Sequence, residues 1–133
     1  GSIFRVTLGG VITEFKVPTP DNYVVGIAAG PDGAMWFTET GASRIGRISM
    51  AGQITEFVTS ADLSDAHSIK AGKGGMYFTA RAPGRIGLIT TGGVLSSFTI
   101  PTPNASPALL AEGPDGNIWF VEYQGNKIGR LER

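Results

Sequence analysis

Gly26-Ile-Ala-Ala-Gly-Pro-Asp-Gly-Ala-Met-Trp-Phe-Thr-Glu39 returns further along the chain as Gly113-Pro-Asp-Gly-Asn-Ile-Trp-Phe-Val-Glu122. Trp36-Phe37 has counterparts in Tyr77-Phe78 and Trp119-Phe120, at intervals of 41 and 42 residues. Ile45-Gly46-Arg47 recurs as Ile86-Gly87-Leu88 and Ile128-Gly129-Arg130 at the same intervals, and Ile3-Phe4-Arg5 lies 42 residues before the first of them. Glu14-Phe15 recurs as Glu56-Phe57 and, altered, as Ser97-Phe98. Landmarks sharing one period define an internal repeat, and a repeat decides the fold before secondary structure is read.

Each unit reads as four short strands, at 24–30, 34–39, 44–49 and 53–59 in the first complete copy. Pro31-Asp32-Gly33 between the first two is a turn with a mechanism: Pro pre-sets φ and Asp-Gly supplies the reversal. β-branched and aromatic residues recur between turn signals and no 3.6-residue period is sustained, so no helix is expected. Four strands on a period of about 42 residues describe a propeller blade. Met35, Trp36 and Phe37 are consecutive large apolar residues, which demands burial on both faces of their strand, and neighbouring blades supply it. The first strand is rich in Gly and Ala, as a crowded channel-lining position requires. A β-sandwich of hairpins is the competing architecture.

The chain has 133 residues, with 20 Gly, 8 Pro and no Cys. Eleven basic side chains balance 11 acidic ones, and without a basic excess neither nucleic acid nor an anionic membrane is an expected partner. The lack of Cys removes disulfides, thiolate zinc sites and thiol nucleophiles. No apolar run approaches the roughly 20 residues that span a bilayer, and no signal-peptide pattern is seen, so a soluble, cytoplasmic protein is expected. Gly1-Ser2 reads as a cloning remnant.

In strand order the chain divides into 1–20 with two spare outer strands, 21–60 as blade 1, 61–103 as blade 2 and 104–133 as blade 3. Blade 3 lacks an outer strand, which the N-terminal segment 11–17 is expected to complete; segment 3–7 duplicates 128–132. Three blades cannot close a ring, because propellers hold about four to eight. An open arc would leave apolar faces at both ends, and such faces mark interfaces. The fold expected is therefore an all-β propeller of four-stranded antiparallel blades, three per chain, closed into a six-bladed ring as a homodimer.

With Ser43-Arg-Ile-Gly-Arg-Ile48, Gly125-Asn-Lys-Ile-Gly-Arg130, Ile12-Thr-Glu-Phe15 and Pro18-Thr-Pro20, these units resemble the repeat of the virginiamycin B lyase family and its NHL-like propeller relatives. The resemblance covers nearly the whole chain. It implies a seven-bladed monomer with a Mg²⁺-dependent site at one channel mouth. There a His base, with Glu nearby, opens a streptogramin B depsipeptide by elimination at its ester. By the same resemblance His67, at the start of an inner strand and followed by Ser68-Ile69, matches a catalytic His. The Glu expected at the end of the next strand is replaced by Ala80, with Arg81 beyond it.

First-strand starts and second-strand ends share one mouth, which assigns Tyr23, Glu39, His67, Arg81, Glu122 and Tyr123 to one rim. There His67 is the candidate base, Glu39 and Glu122 are candidate catalytic groups or metal ligands, and Tyr23, Arg81 and Tyr123 are candidate ligand contacts. The plainer reading has Glu39 and Glu122 paired with Arg81 and nearby basic residues, and His67 capping a strand. Lys73-Gly74-Gly75 lacks the spacing of a phosphate loop, and the Asp-Gly pairs lack the extra acids of a calcium loop. The third-strand basic residues, interspersed with Glu14, Glu56 and Glu132, read as a solvated surface. The leading expectation is a self-assembling half-propeller or scaffold without catalysis of its own. A Mg²⁺-dependent streptogramin B lyase and a ring binding a small molecule at its mouth are the alternatives.

Overall fold

In a computed structural model, residues 1–132 are described. Strands β1 (Ser2–Val6) and β2 (Ile12–Lys16) form a hairpin. Blade 1 is β3 (Val24–Ala29), β4 (Met35–Glu39), β5 (Arg44–Ile48) and β6 (Ile54–Val58). Blade 2 is β7 (Ser64–Gly72), β8 (Gly75–Ala82), β9 (Arg85–Ile89) and β10 (Leu95–Thr99). Blade 3 has three strands, β11 (Pro107–Glu112), β12 (Ile118–Glu122) and β13 (Lys127–Leu131). Each sheet is an antiparallel meander in chain order, so the four-strand reading of the repeat holds. The expectation of no helix gives way to two single 3₁₀ turns, at Thr40–Ala42 and Ala61–Leu63, each linking strands where the chain reverses.

Strand order within a blade follows from its turns and its glycines. Gly33 and Gly116 close the Pro-Asp-Gly turns at φ +75° and +74°, a left-handed backbone that a side chain resists. In the third strands, Gly46, Gly87 and Gly129 lie under the rings of Phe37, Phe78 and Phe120. A Cβ there would come within 2.1, 2.2 and 2.2 Å of the ring, respectively. The pairings Phe37↔Gly46, Phe78↔Gly87 and Phe120↔Gly129 therefore fix the register of strands two and three.

The blades stack face to face. Between blades 1 and 2 lies a core of Trp36, Ile45, Leu63, Ile69, Met76, Phe78 and Ile89, with Phe57 stacked on Trp36 at 5.6 Å. Between blades 2 and 3 lie Tyr77, Ile86, Leu110, Ile118 and Phe120. The β1–β2 hairpin covers the other face of blade 1 through Ile3 and Val17, packed on Phe37 and Ile48. In every blade the strand-two Phe looks backward and the Trp or Tyr before it looks forward, so both faces are apolar, as the Met-Trp-Phe run required.

Among the described residues nothing covers the front face of the last blade. Trp36 and Tyr77 are 0% exposed but Trp119 is 38% exposed, and Ile45 and Ile86 are 0% and 1% exposed against 72% for Ile128. Leu109 and Val121 join this open face. At the other end Phe4, Val6, Val25 and Ile27 are exposed. Among the described residues β2 pairs with β1, and no strand lies on the outer edge of β13.

Candidate functional site

The inner strand of every blade carries a bulge at the same place: between Val24 and Ile27, between Ala66 and Ile69, and between Pro107 and Leu110. A bulge re-aims the side chains that sit in it, and in blade 2 those are His67 and Ser68. A second-strand threonine bridges the bulges of adjacent blades. Thr38 Oγ1 accepts the Gly26 N–H at 2.9 Å and donates to the His67 carbonyl at 2.8 Å. Thr79 Oγ1 repeats this, accepting the Ser68 N–H at 3.0 Å and donating to the Ala108 carbonyl at 2.9 Å. Val121 stands at the third position, in the last blade among the described residues. Thr40 Oγ1 also donates to the Ala66 carbonyl. The backbone around His67 is thus held from both neighbouring blades, while its side-chain Nδ1 is buried without a hydrogen-bond partner.

The other rim candidates do not converge on that imidazole. Arg81 holds Asp65 in a two-pronged ion pair, Nε–Oδ2 2.9 Å and Nη2–Oδ1 3.0 Å, rather than Glu39 or Glu122. This pair lines a cleft of about 310 Å³ with Asn104, Ser106 and Gln124. Asp65, Asn104 and Ser106 there have φ of +55°, +53° and +46°, a conformation uncommon for residues with a side chain. Tyr23 and Tyr123 are exposed, and their backbone groups close the blade ends: the Tyr23 carbonyl accepts the Thr40 N–H and the Tyr123 N–H donates to Ser106.

Glu39 is fully buried and turned into the blade, where Asn22 Nδ2 donates to its Oε2 at 2.9 Å. Burial pushes its carboxyl above the usual value, the Asn22 bond opposes this, and the neighbouring Glu56 carboxylate adds to it. Thr19 holds Glu56 through its backbone N–H (3.1 Å) and hydroxyl (2.8 Å). Glu122 is the same strand-end residue in blade 3, but Ala105 replaces Asn22 there, and Glu122 Oε2 is buried with no partner. Glu39 and Glu122 are therefore equivalent positions two blades apart. Among the described residues no group of three His, Asp or Glu side chains is disposed to hold a metal ion.

Two features went unnoticed in the sequence. One is the threonine bridge, whose signal was Thr38 and Thr79 on the repeat period. The other is a triad on blades 1 and 3, in which Trp36 Nε1 (3.0 Å) and Arg47 Nε (2.7 Å) both bind Asp32. Trp119 binds Asp115 likewise at 3.1 Å. Burial works to raise the Asp32 carboxyl, but the bonds from Trp36, Arg47 and Ala34 outweigh it and hold it below the usual value.

A sequence model described as the virginiamycin B lyase family matches residues 1–133. The chain belongs to the virginiamycin B lyase family. The virginiamycin B lyase of Bordetella pertussis is 44% identical over 46 residues, 35% of this chain and 15% of that enzyme. The crystal structure of virginiamycin B lyase from Staphylococcus aureus superposes with a TM-score of 0.95 at 40% identity, covering 99% of this chain and 45% of that one. A catalytically inactive His-to-Ala form of the Staphylococcus aureus lyase, with quinupristin, superposes at 0.94 with 40% identity, 98% and 45% being covered. This chain thus spans less than half the length of the lyase structures it matches. In the lyase family it is a β-propeller segment, and no helix among the described residues is long and apolar enough to cross a membrane.

Proposed function

We propose that this member of the lyase family is a self-assembling half-propeller: two copies close one six-bladed ring, and the chain has no lyase chemistry of its own. The observation that carries the assembly is the contrast between repeat-equivalent residues, buried in blades 1 and 2 and bare in blade 3. Covering a side chain such as Ile128 or Leu109 is worth about 1.5–3 kcal/mol, and the two bare ends are apolar together. The absence of chemistry is supported by Ala80 in place of a rim carboxylate, by a lone His67, and by Glu39 committed to Asn22. The ring is proposed to act in the cytoplasm without nucleic acid or membrane, taking at most a small molecule at its mouth. Light scattering tests it: a folded sample at the mass of one chain, 13.9 kDa, refutes assembly.

A second reading is favoured by the superposition at 0.95 on 45% of a lyase chain, which supports blade-to-blade geometry like that of the lyase. Here these residues act as part of a Mg²⁺-dependent streptogramin B lyase, the remaining blades completing the rim, with His67 as base and Tyr23, Arg81, Glu122 and Tyr123 near the ligand. Incubation with quinupristin, with and without Mg²⁺, separates the readings. Elimination removes a proton from carbon and releases the ester carboxylate, giving an opened product of unchanged mass. Hydrolysis adds a water. An opened product of unchanged mass, lost in His67→Ala, supports the lyase and refutes a scaffold without chemistry.

A further inference from the structure

The joint between blades 2 and 3 is open at the rim where the joint between blades 1 and 2 is closed. In blade 1, Thr40 follows Glu39 at the end of β4, and its hydroxyl donates to the Ala66 carbonyl of the next blade. Tyr23 lies over Gly41 there, so closely that a Cβ on Gly41 would come within 2.8 Å of the ring. Blade 2 has Arg81 in the place of Thr40 and Asp65 in the place of Tyr23. Arg81 turns back to Asp65 of its own blade, and the space between the blades remains as the cleft of about 310 Å³. Two coordinated replacements, not the repeat itself, make this cleft.

Its walls are polar and under-used. Arg81 gives Nε and Nη2 to Asp65, which leaves Nη1 with both of its hydrogens. The Asn104 and Gln124 carboxamides and the Ser106 hydroxyl line the cleft with no hydrogen-bond partner among the described residues. Asp65 and Ser106 stand at equivalent positions of blades 2 and 3 and both take left-handed backbone, φ +55° and +46°, which Tyr23 in blade 1 does not. Such backbone persists where the surrounding structure imposes it, and it gathers at ligand sites.

Charge and hydrogen-bond inventory narrow the ligand. Asp65 and Arg81 cancel, so a free anion would meet Asp65 and a free cation would meet Arg81. The groups that remain, two carboxamides, a hydroxyl and a guanidinium edge beside a carboxylate, set donors and acceptors side by side. Neighbouring hydroxyls on a neutral ring complement them, since each hydroxyl both donates and accepts. Pro83 adds an apolar wall for the C–H face of such a ring, and the volume is at the small end of ligand pockets. We propose that the cleft is a binding site for a neutral monosaccharide, read by Arg81, Asn104, Ser106 and Gln124. This gives a chemical class to the small molecule at the mouth and rests on that part of the proposed function alone, because blades 2 and 3 of one chain hold the whole lining.

The test is a titration of the ¹⁵N-labelled protein with glucose, galactose, mannose and N-acetylglucosamine in turn, with inorganic phosphate and acetate as charged comparators. Four neutral hydrogen bonds at their usual net worth correspond to a dissociation constant of about 1 mM. At least one sugar is expected to give saturable shifts of the Asn104 and Gln124 side-chain amides and of the Arg81 Nε–H. Asn104→Gly with Gln124→Ala is expected to weaken that binding about tenfold. Both side chains are exposed, and glycine accepts the φ of +53° at position 104, so the fold is kept. No saturable shift with any of the four sugars, equal affinity in the double variant, or tighter binding of phosphate or acetate overturns the proposal. A dimer that binds no sugar overturns the site and leaves the assembly standing; a single chain that binds one overturns the assembly and leaves the site.

Discussion

Replacing Thr79 by Val tests the bridge that ties adjacent blades around the candidate site. The change keeps the shape of a fully buried side chain and deletes only its hydroxyl, which bonds Ser68 N–H at 3.0 Å and the Ala108 carbonyl at 2.9 Å. Packing is nearly conserved, so the loss is polar. Each buried group left without its partner costs about 1–3 kcal/mol. Ser68 and Ala108 are partly buried, which puts the pair at about 2–4 kcal/mol and the melting temperature down by roughly 6–15 °C for a domain of this size. Urea unfolding followed by fluorescence of Trp36 and Trp119 measures it, provided the transition is two-state. Thr79→Ser retains the hydroxyl and is expected to recover most of the loss. A Thr79→Val protein within about 0.5 kcal/mol of the parent, the range of an ordinary surface change, or a Ser variant no better than Val, refutes the bridge.

Val121→Thr is the converse: little change in the stability of the single chain, but about thirtyfold tighter self-association by sedimentation, through one new hydrogen bond of about 1 kcal/mol at each of the two junctions of the proposed ring. Gly87→Ala drives a Cβ to 2.2 Å from the Phe78 ring and should cost about 1–3 kcal/mol by overpacking, a loss reduced when Phe78 is also made Leu. Asp32 and Glu39 have opposite pH signatures. Asp32, held below its usual 3.8, contributes stability that is present above that pH and lost as pH falls through the lowered value, so Asp32→Asn should flatten the acid limb of a stability–pH curve. Glu39, raised above its usual 4.5, contributes stability present below that pH and lost as pH rises through the raised value. Glu39→Gln should therefore be more stable than the parent at neutral pH and level with it in acid.

The blades were legible because a repeat states the same packing problem three times. Met-Trp-Phe demanded two buried faces, Pro-Asp-Gly demanded a reversal, and the glycine of Ile-Gly-Arg, once paired with the Phe ring above it, fixed the register. The rim was less legible. Strand order puts Glu39, His67 and Glu122 toward one end of the blades, but the end of a strand does not say which face a side chain takes. Glu39 is two residues from Phe37 and shares its face, which points into the packing between blade 1 and the β1–β2 hairpin. Arg81 found Asp65 across the β7–β8 hairpin, a pairing that depends on the bulge at His67 and Ser68 shifting the register. The sequence hides such a shift because a bulge adds a residue without a signature of its own.

Blade 2 departs from its neighbours in sets, not singly, and this bears on His67. Where blades 1 and 3 have Asp, Trp and Arg bound together, blade 2 has Tyr77 bonded to the Lys73 carbonyl at 2.8 Å, and Leu88 in the place of the arginine. Where blade 1 has a hydroxyl of the entering segment donating to a strand-four acid, blade 2 has the reverse: Ser97 on β10 donates to Asp62 at 3.1 Å. Each exchange keeps every donor and acceptor occupied, because a half-replaced buried set leaves a polar group bare. Ala80 and His67 break this habit. The carboxylate position has lost its acid, Arg81 has turned to Asp65, and His67 Nδ1 is left buried without a partner. A second copy closing the ring adds blades at the ends of the chain, not beside β7 and β8, so it cannot supply a group at Ala80. The position of blade 2 that corresponds to Glu39 and Glu122 therefore holds no carboxylate in a ring built from two copies of this chain, and Ala80 fills it as part of the apolar core between blades 1 and 2.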